Sequence, residues 1–410
     1  DADAIVNPNL PGDPFPSKHL AGVGVAFYLM VALRTRLRES GWFASRGIAE
    51  PNLANLIDLV ALGTIADVVP LDRNNRILVE QGLRRVRSGS GNPGILALFD
   101  AAGRDARQAV SSDFGFAAGP RLNAAGRLAD MSLGIRCLLE DDPARARDLA
   151  RELDVLNRER REIESRMRDE ALAIVDRLPD PGRVGGVPDG ICLYDAGWHQ
   201  GVIGILASRI RERFHRPAVV FADGQEEELK GSARSVPGVH IRDLLDTIAS
   251  RHPGLVTRFG GHAMAAGLSL PRDKLEDFVE AFNSQARELL SDDLRQAYVV
   301  TDGPLEDSEL TLEAATILRH AAPWGQGFPE PVFDGAFEVL DQRVVGERHM
   351  KLKLKPRGSD RAIDAICFQY EQNGWDDGDG LLSIAYRMDV NAYRGNIGLQ
   401  LVVERVLGRE

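Results

Sequence analysis

Between Asp142-Pro143 and Pro179 the sequence carries one apolar stripe at helical spacing: Leu149, Leu153, Leu156, Ile163, Met167, Ile174 and Leu178, with Arg160 and Ala171 at its two weak positions. Asp142 suits an N-cap and Pro143 the first helical position, while Pro179 and the Gly- and Pro-rich segment 179–190 end the pattern. The spacing predicts a helix of roughly 36 residues, about 54 Å long at 1.5 Å per residue. A rod of that length divides the chain into a part before it and a part after it. Between 145 and 170 its other faces mix arginines with acids, so the signs balance. An interdomain connector fits this better than a DNA-binding helix, and a coiled-coil dimer would be short.

At 410 residues the chain has room for about two or three domains. Hydrophobic content of 44% and charged content of 27% are ordinary for a globular protein. The longest apolar run, 21–33, is too short to span a bilayer and is closed by Arg34, and no basic segment precedes it, so a cytoplasmic protein without a membrane partner is expected. Cys137, Cys192 and Cys367 lie far apart without a CxxC, which suggests neither a disulfide framework nor a thiolate zinc site and fits a reducing compartment. A net charge of −11 argues against a protein that coats itself in nucleic acid, so local charge decides.

Before the rod, residues 1–20 form a turn-laden path, and helices are expected at 21–38, 52–62 and 74–86, the second interrupted by Gly63-Thr64, with a Gly/Ser turn at 88–94. Asp67 is a lone carboxylate in the apolar run 65–71. It either caps a local turn or, if buried, needs a pair, hydrogen bonds or a metal ion. In 116–128, Arg121, Asn123 and Arg127 stand among small residues; guanidinium groups there suit phosphate, or are simply solvated at a helix start.

After the rod, strands at 191–194, 217–221 and 229–235 alternate with helices at 202–214, 240–249 and 275–290, an α/β pattern. Ser232 and Arg234 share one face of a strand, as a phosphate site or an exposed edge pair. In 258–267, Gly260, Gly261 and His262 precede small apolar residues; the stretch reads as a phosphate pocket or as a turn with a buried histidine. A boundary at 291–303, a helix at 310–319 and a rigid connection at 321–331 lead to five short strands, 333–339, 350–354, 363–368, 381–386 and 399–403, which suggest a small OB-type barrel. Residues 343–361 hold seven Lys or Arg against two acids, and Lys351, Lys353 and Lys355 share a face, either a groove for a nucleic-acid backbone or a solvated sheet face. The segment 376–380 reads as an acidic turn whose spacing is wrong for calcium.

Taken in order, residues 59–71, the 119–128 stretch, the long helix, Trp198-His199-Gln200-Gly201-Val202-Ile203-Gly204, the Ser-Ala-Arg strand and Gly260-Gly261-His262 resemble the RecJ single-strand-specific exonucleases of the DHH phosphoesterase superfamily, over essentially the whole chain. The resemblance implies an α/β fold in four parts. These are the carboxy-terminal portion of a DHH phosphoesterase domain (1–142), a connecting helix (143–180), a DHH-associated α/β domain (181–295) and an OB-fold nucleic-acid-binding domain (296–410). It implies 5′→3′ hydrolysis of single-stranded DNA in repair and recombination, by two Mn²⁺ or Mg²⁺ ions that activate water and stabilise the leaving oxygen. Asp67 is then a metal ligand and catalytic, and His262 is catalytic on the facing wall. Arg121, Asn123, Arg127, His199, Ser232, Arg234, Gly260, Gly261, Lys351, Lys353 and Lys355 bind the strand. The implied partners are single-stranded DNA with a 5′-phosphate end and a single-strand-binding protein or helicase.

One departure is large. The family's Asp-x-Asp and Asp-His-His elements have no counterpart, and His19 is the only histidine before the long helix. The chain therefore resembles such an enzyme without its amino-terminal part, and is expected to be incomplete for catalysis. Two other readings remain: a phosphodiesterase of the same superfamily for oligoribonucleotides or cyclic dinucleotides, which would not need the barrel, and a non-catalytic single-strand-binding module.

Overall fold

The computed structural model describes residues 3–175, 187–225, 227–296, 298–346, 349–370, 375, 380–393 and 396–409. The chain clusters into two compact units, one of Asp1–Ala125, Met131–Asp154 and Val299–Glu410, the other of Gly126–Asp130 and Val155–Tyr298.

The first unit opens with α1 (Gly22–Glu39), α2 (Trp42–Arg46), α3 (Ile57–Ala66) and α4 (Arg73–Arg87). Gly63-Thr64 does not interrupt the second predicted helix, because α3 runs through both residues. Thr64 satisfies its hydroxyl on the Val60 carbonyl at 2.7 Å. A Cβ on Gly63 would lie 2.7 Å from Val23 Cγ1, so the glycine serves close packing of α1 rather than a break. A helix unforeseen in the sequence, α5 (Pro93–Ala101), follows the Gly/Ser turn. Pro93 and Gly94 look like breakers, yet Pro93 occupies the first turn, and Asn92 Oδ1 caps it by accepting from Gly94 N at 2.9 Å and Ile95 N at 3.2 Å.

The carboxylate buried in this region is Asp58, not Asp67. Asp58 is fully buried and accepts from Leu59 N at 2.9 Å and Asn92 N at 2.6 Å, with Arg85 Nε 3.8 Å away. Asp67 is the exposed C-cap of α3. Of the two readings of Asp67, the buried carboxylate in need of a partner does not hold: the helix ends there, and its side chain leaves the apolar run for solvent.

Next come α6 (Ser111–Asp113), a π-helical turn (Phe114–Ala118), α7 (Gly119–Leu128) and α8 (Ser132–Leu139). The rod is α9 (Pro143–Val175), and the division between the units falls within it. Residues 176–186, with Leu178 and Pro179 of the predicted pattern, lie outside the described residues. Leu153, Met167 and Ala171 are buried as the stripe predicts, but so are Asp154, Asn157, Glu164 and Arg168. Polar residues enter this side because they are paired. Glu164, for example, meets Arg160 at 2.8 Å and Arg209 at 3.3 Å.

In the second unit β1 (Ile191–Tyr194), α10 (Ile203–Phe214), β2 (Ala218–Asp223), β3 (Glu228–Arg234), α11 (Ile241–Arg251), β4 (Arg258–Gly261), β5 (Ala265–Pro271) and α12 (Leu275–Leu289) build one sheet in the order β1-β2-β3-β5-β4. Among the described residues of this sheet only β1 and β2 are parallel, joined through α10. One face packs Leu229, Ala233, Leu268 and Leu270 against α11 and α12. On the other, Ile191, Leu193, Ala218 and Val220 meet α10 and Met167 and Ala171 of α9.

The segment entering β1 is held by Asp189, which meets Arg295 at 3.0 Å, Arg287 at 3.3 Å and Arg216 at 3.9 Å. Burial works to raise the Asp189 carboxyl, but the hydrogen bonds from Arg295 and Arg287 and the charge of Arg216 outweigh it and hold it below the ordinary carboxylate range. A depressed folded-state pKa contributes stability that is complete above the unfolded value of 3.8 and is lost as pH falls through the folded value. Asp189→Asn is therefore expected to lower the denaturation midpoint at neutral pH, and the gap from the parent should shrink only below about pH 4. A gap that is constant down to acid would show that the clamp's charge contributes nothing.

The chain returns to the first unit with α13 (Leu312–Ala321), β6 (Phe333–Val345), β7 (His349–Pro356), β8 (Ile363–Phe368), β9 (Leu382–Tyr393) and β10 (Asn396–Arg409). The five strands close into a barrel in the order β10-β8-β7-β6-β9, with β10 parallel to β8. They are the five expected strands, most of them longer than the sequence pattern shows. The 321–331 connection docks on the helices: Leu71 N donates to Gln326 O at 2.7 Å, Ser111 Oγ to Trp324 O at 2.6 Å, and the Arg76 guanidinium sits 4.2 Å over the Phe328 ring. Of the acidic segment 376–380, residues 376–379 lie outside the described residues. None of the three cysteines is in a disulfide, and burial pushes the Cys137 thiol up to about 11. No helix among the described residues is long and apolar enough to cross a membrane.

Candidate nucleic-acid interface

Alternation along β3 puts Ser232 and Arg234 on the face that α10 covers at one side. In the register of the sheet Ser232 stands opposite Gly267 on β5, and Gly267 opposite Gly260 on β4. Residues directly opposite share a face, so the row is a hydroxyl followed by two positions without side chains. Nothing lies within 4 Å of where a Gly260 Cβ would be, and Gly267 is exposed. The result is an open floor beside Ser232.

Arg234 closes one end of this floor. Its Nη1 donates to Ser232 Oγ at 3.0 Å and to Ala233 O at 2.8 Å, and it forms no ion pair among the described residues. Burial, reinforced by the charges of Arg127 and Arg211, pulls its pKa below the usual guanidinium range. The start of α10 lies against the same pair. A Cβ on Gly204 would be 2.9 Å from Arg234 Nη2 and 3.0 Å from Ser232 Oγ, so glycine is what permits this approach. Val202 at the N-cap offers the helix no side-chain cap. Ile203 N donates to His199 O at 3.3 Å and Ile205 N to Val202 O at 2.9 Å, so the helix start contributes mainly its dipole, and with the guanidinium and the hydroxyl it forms a setting for an anion.

The loop before α10 brings in two more predicted residues. Arg127 Nη1 donates to Gly201 O at 2.9 Å, and Gly201 N donates to His199 Nδ1 at 3.0 Å. A Cβ on Gly201 would lie 2.4 Å from Arg127 O. Trp198 anchors the loop, its Nε1 donating to Glu170 at 2.9 Å. Arg127, His199, Ser232 and Arg234 are thus gathered at the start of α10. Gly204 and Gly267 were missed from the sequence, although Gly204 ends the Trp198 motif and Gly267 ends the Gly-Gly-His stretch.

The Gly-Gly-His stretch itself is an edge hairpin. Gly260 and Gly261 end β4, and His262 N donates to Ala265 O at 2.8 Å across the turn. Gly261 has φ +150°, and a Cβ there would meet Ala265 O at 2.4 Å. The His262 ring is exposed, which rules out the turn with a buried histidine.

In the first unit Arg121 is committed internally: it meets Asp154 at 2.7 Å and donates to Ala117 O at 2.7 Å, and both partners of the ion pair are largely buried. Asn123 is exposed. Asp67 is an accessible carboxylate, and no three His, Cys, Asp or Glu among the described residues are grouped to hold a metal ion. On β7, Lys351, Lys353 and Lys355 do share a face, alternating with buried Met350, Leu352 and Leu354. That face is not purely basic, since Lys355 pairs with Glu338 at 2.7 Å and Lys353 stands opposite Asp341 and Asp364.

Two family models match: the DHHA1 domain over residues 188–288 and the RecJ OB domain over 301–405. The single-stranded-DNA-specific exonuclease RecJ of Escherichia coli (strain K12) is 54% identical over 406 residues, which are 99% of this chain and 70% of that protein. Its counterpart in Haemophilus influenzae is 49% identical over 412 residues, again 99% of this chain and 70% of that protein. Crystal structures of RecJ from Thermus thermophilus in complex with Mg²⁺ and with Mn²⁺ are 30% identical, with TM-scores of 0.74 and 0.75. They align with 97% and 98% of this chain, which spans 57% and 55% of theirs.

Proposed function

Because this chain belongs to the RecJ family, we propose that it serves a 5′→3′ exonuclease of single-stranded DNA, and that the shelf beside Arg234 receives the strand's 5′-phosphate. The observation that carries the reading is Arg234 itself, a half-buried guanidinium without a carboxylate partner among the described residues, set beside a helix start that has no side-chain cap. A desolvated cation is costly unless an anion completes it, and a terminal phosphate offers oxygens for both the guanidinium fork and backbone N–H groups. The Ser232-Gly267-Gly260 row leaves room for the sugar-phosphate chain to lie against the sheet. His199, Arg127 and His262 would contact the strand around this point.

In this reading 1–142 is the phosphoesterase portion, 143–180 the connecting helix, 181–295 the domain that holds the strand's end, and 296–410 the domain that grips it through Lys351, Lys353 and Lys355. Relatives crystallised with Mg²⁺ or Mn²⁺ support a divalent cofactor. Asp67 fits as one ligand, but a single accessible carboxylate does not hold a pair of ions, so the described residues bind and orient the strand without completing a two-metal centre. The same observation favours a second reading for these residues on their own, a single-strand-binding module.

The test is equilibrium binding of one oligodeoxynucleotide with a 5′-phosphate or a 5′-hydroxyl. Tighter binding of the phosphorylated strand, falling steeply with added salt, is expected. Equal affinity for both would remove the phosphate site.

A further inference from the structure

Within the first unit, the turn after α3 and the 321–331 connection enclose a cleft of about 530 Å³, a volume typical of ligand sites. Its apolar wall includes Val68, Leu71, Phe116 and Trp324. Phe116 is 79% exposed although it belongs to a π-helical turn, a distortion that concentrates at functional sites. Val68 is 64% exposed and held at φ +56°, a strained conformation for a β-branched residue. The chain thus keeps an aromatic ring and a strained aliphatic side chain facing solvent across a concave surface.

Charge narrows the occupant. The charged residues of the cleft are Glu330, Arg387 and Glu404, and Arg387 donates to both carboxylates, at 2.6 Å to Glu404. One cation between two acids leaves nothing to attract a phosphate. Neutral hydrogen-bonding capacity comes from the exposed Asn123, Ser112 and Gln326. Ala66 and Val68, the neighbours of Asp67 in the chain, both line the cleft, so it adjoins the proposed metal ligand.

We infer that this cleft takes a nucleobase of the single strand, stacked on Phe116 with its edge toward Asn123, while the charged backbone stays outside. The inference rests on the proposed function and adds a source of strand selectivity: a base held in a duplex stack is not free to enter. Base–aromatic stacking contributes about 1–3 kcal/mol per base, which corresponds to roughly 5- to 100-fold in affinity.

The experiment compares an oligothymidylate with an abasic strand of equal length, bound to the full chain and to Phe116→Ala and Phe116→Trp. Phe116→Ala is expected to weaken oligothymidylate binding roughly 5- to 100-fold, to leave abasic-strand binding unchanged, and to keep the parent's circular dichroism because the ring is exposed. Phe116→Trp is expected to retain parental binding of both strands. Equal loss for both strands, or no loss for oligothymidylate, overturns the inference. A chain that binds oligothymidylate and is indifferent to Phe116 overturns the base cleft alone, whereas a chain that binds neither strand overturns the proposed function and the cleft with it.

Discussion

Arg234→Ala is expected to weaken binding of a 5′-phosphorylated single strand by roughly 10- to 100-fold, the loss of hydrogen bonds to a charged group worth about 1.5–3 kcal/mol. The same substitution should change binding of the 5′-hydroxyl strand far less, and should reduce the salt dependence by about one phosphate contact. Stability is expected to move the other way. Arg234 is desolvated between Arg127 and Arg211 without an acid to offset it, so its removal should leave the denaturation midpoint unchanged or higher. Loss of stability together with loss of binding to both strands would mark Arg234 as a structural residue. Arg234→Lys keeps the charge but not the planar fork, and should fall between the two.

Asp58→Ala is expected to cost about 3–5 kcal/mol, because it takes a fully buried carboxylate from Arg85 and leaves the Asn92 amide without its acceptor. That loss undoes the join between α3 and the start of α5. Asp67→Ala is expected to alter stability by no more than about 0.5 kcal/mol, as for an exposed residue. Its effect should appear elsewhere. With the amino-terminal part of a relative joined to the chain, Mn²⁺-dependent release of nucleotides from a single strand should be lost in Asp67→Ala. Denaturation curves and a nucleotide-release assay on both variants separate the two roles. Retained hydrolysis in Asp67→Ala would end its assignment as a metal ligand.

Much of the second unit was legible because its signals are local. The alternation in 228–234 and the apolar faces of α11 and α12 follow from strand and helix periods, and Ser232 and Arg234 were placed on one face by their spacing alone. The same holds for the lysines of β7. Arg121 was not legible as a buried ion-pair partner, since Asp154 lies far along the chain on another helix. The glycine pair was legible as a place of close approach, but the residue it approaches is Ala265 across a hairpin, and its exposed face became a floor only beside Ser232.

Sequence alone determined the order of the motifs, the rod between them, the five-strand carboxy-terminal part and the face on which each alternating side chain stands. Tertiary structure alone decided that Asp58 rather than Asp67 is buried, that Gly63 continues a helix, and that Ser232, Gly267 and Gly260 form one row at the start of α10. The physical reason is that periodicity is fixed by bonds along the chain. Burial and cross-strand register instead depend on which distant segment supplies the packing surface or the hydrogen bonds.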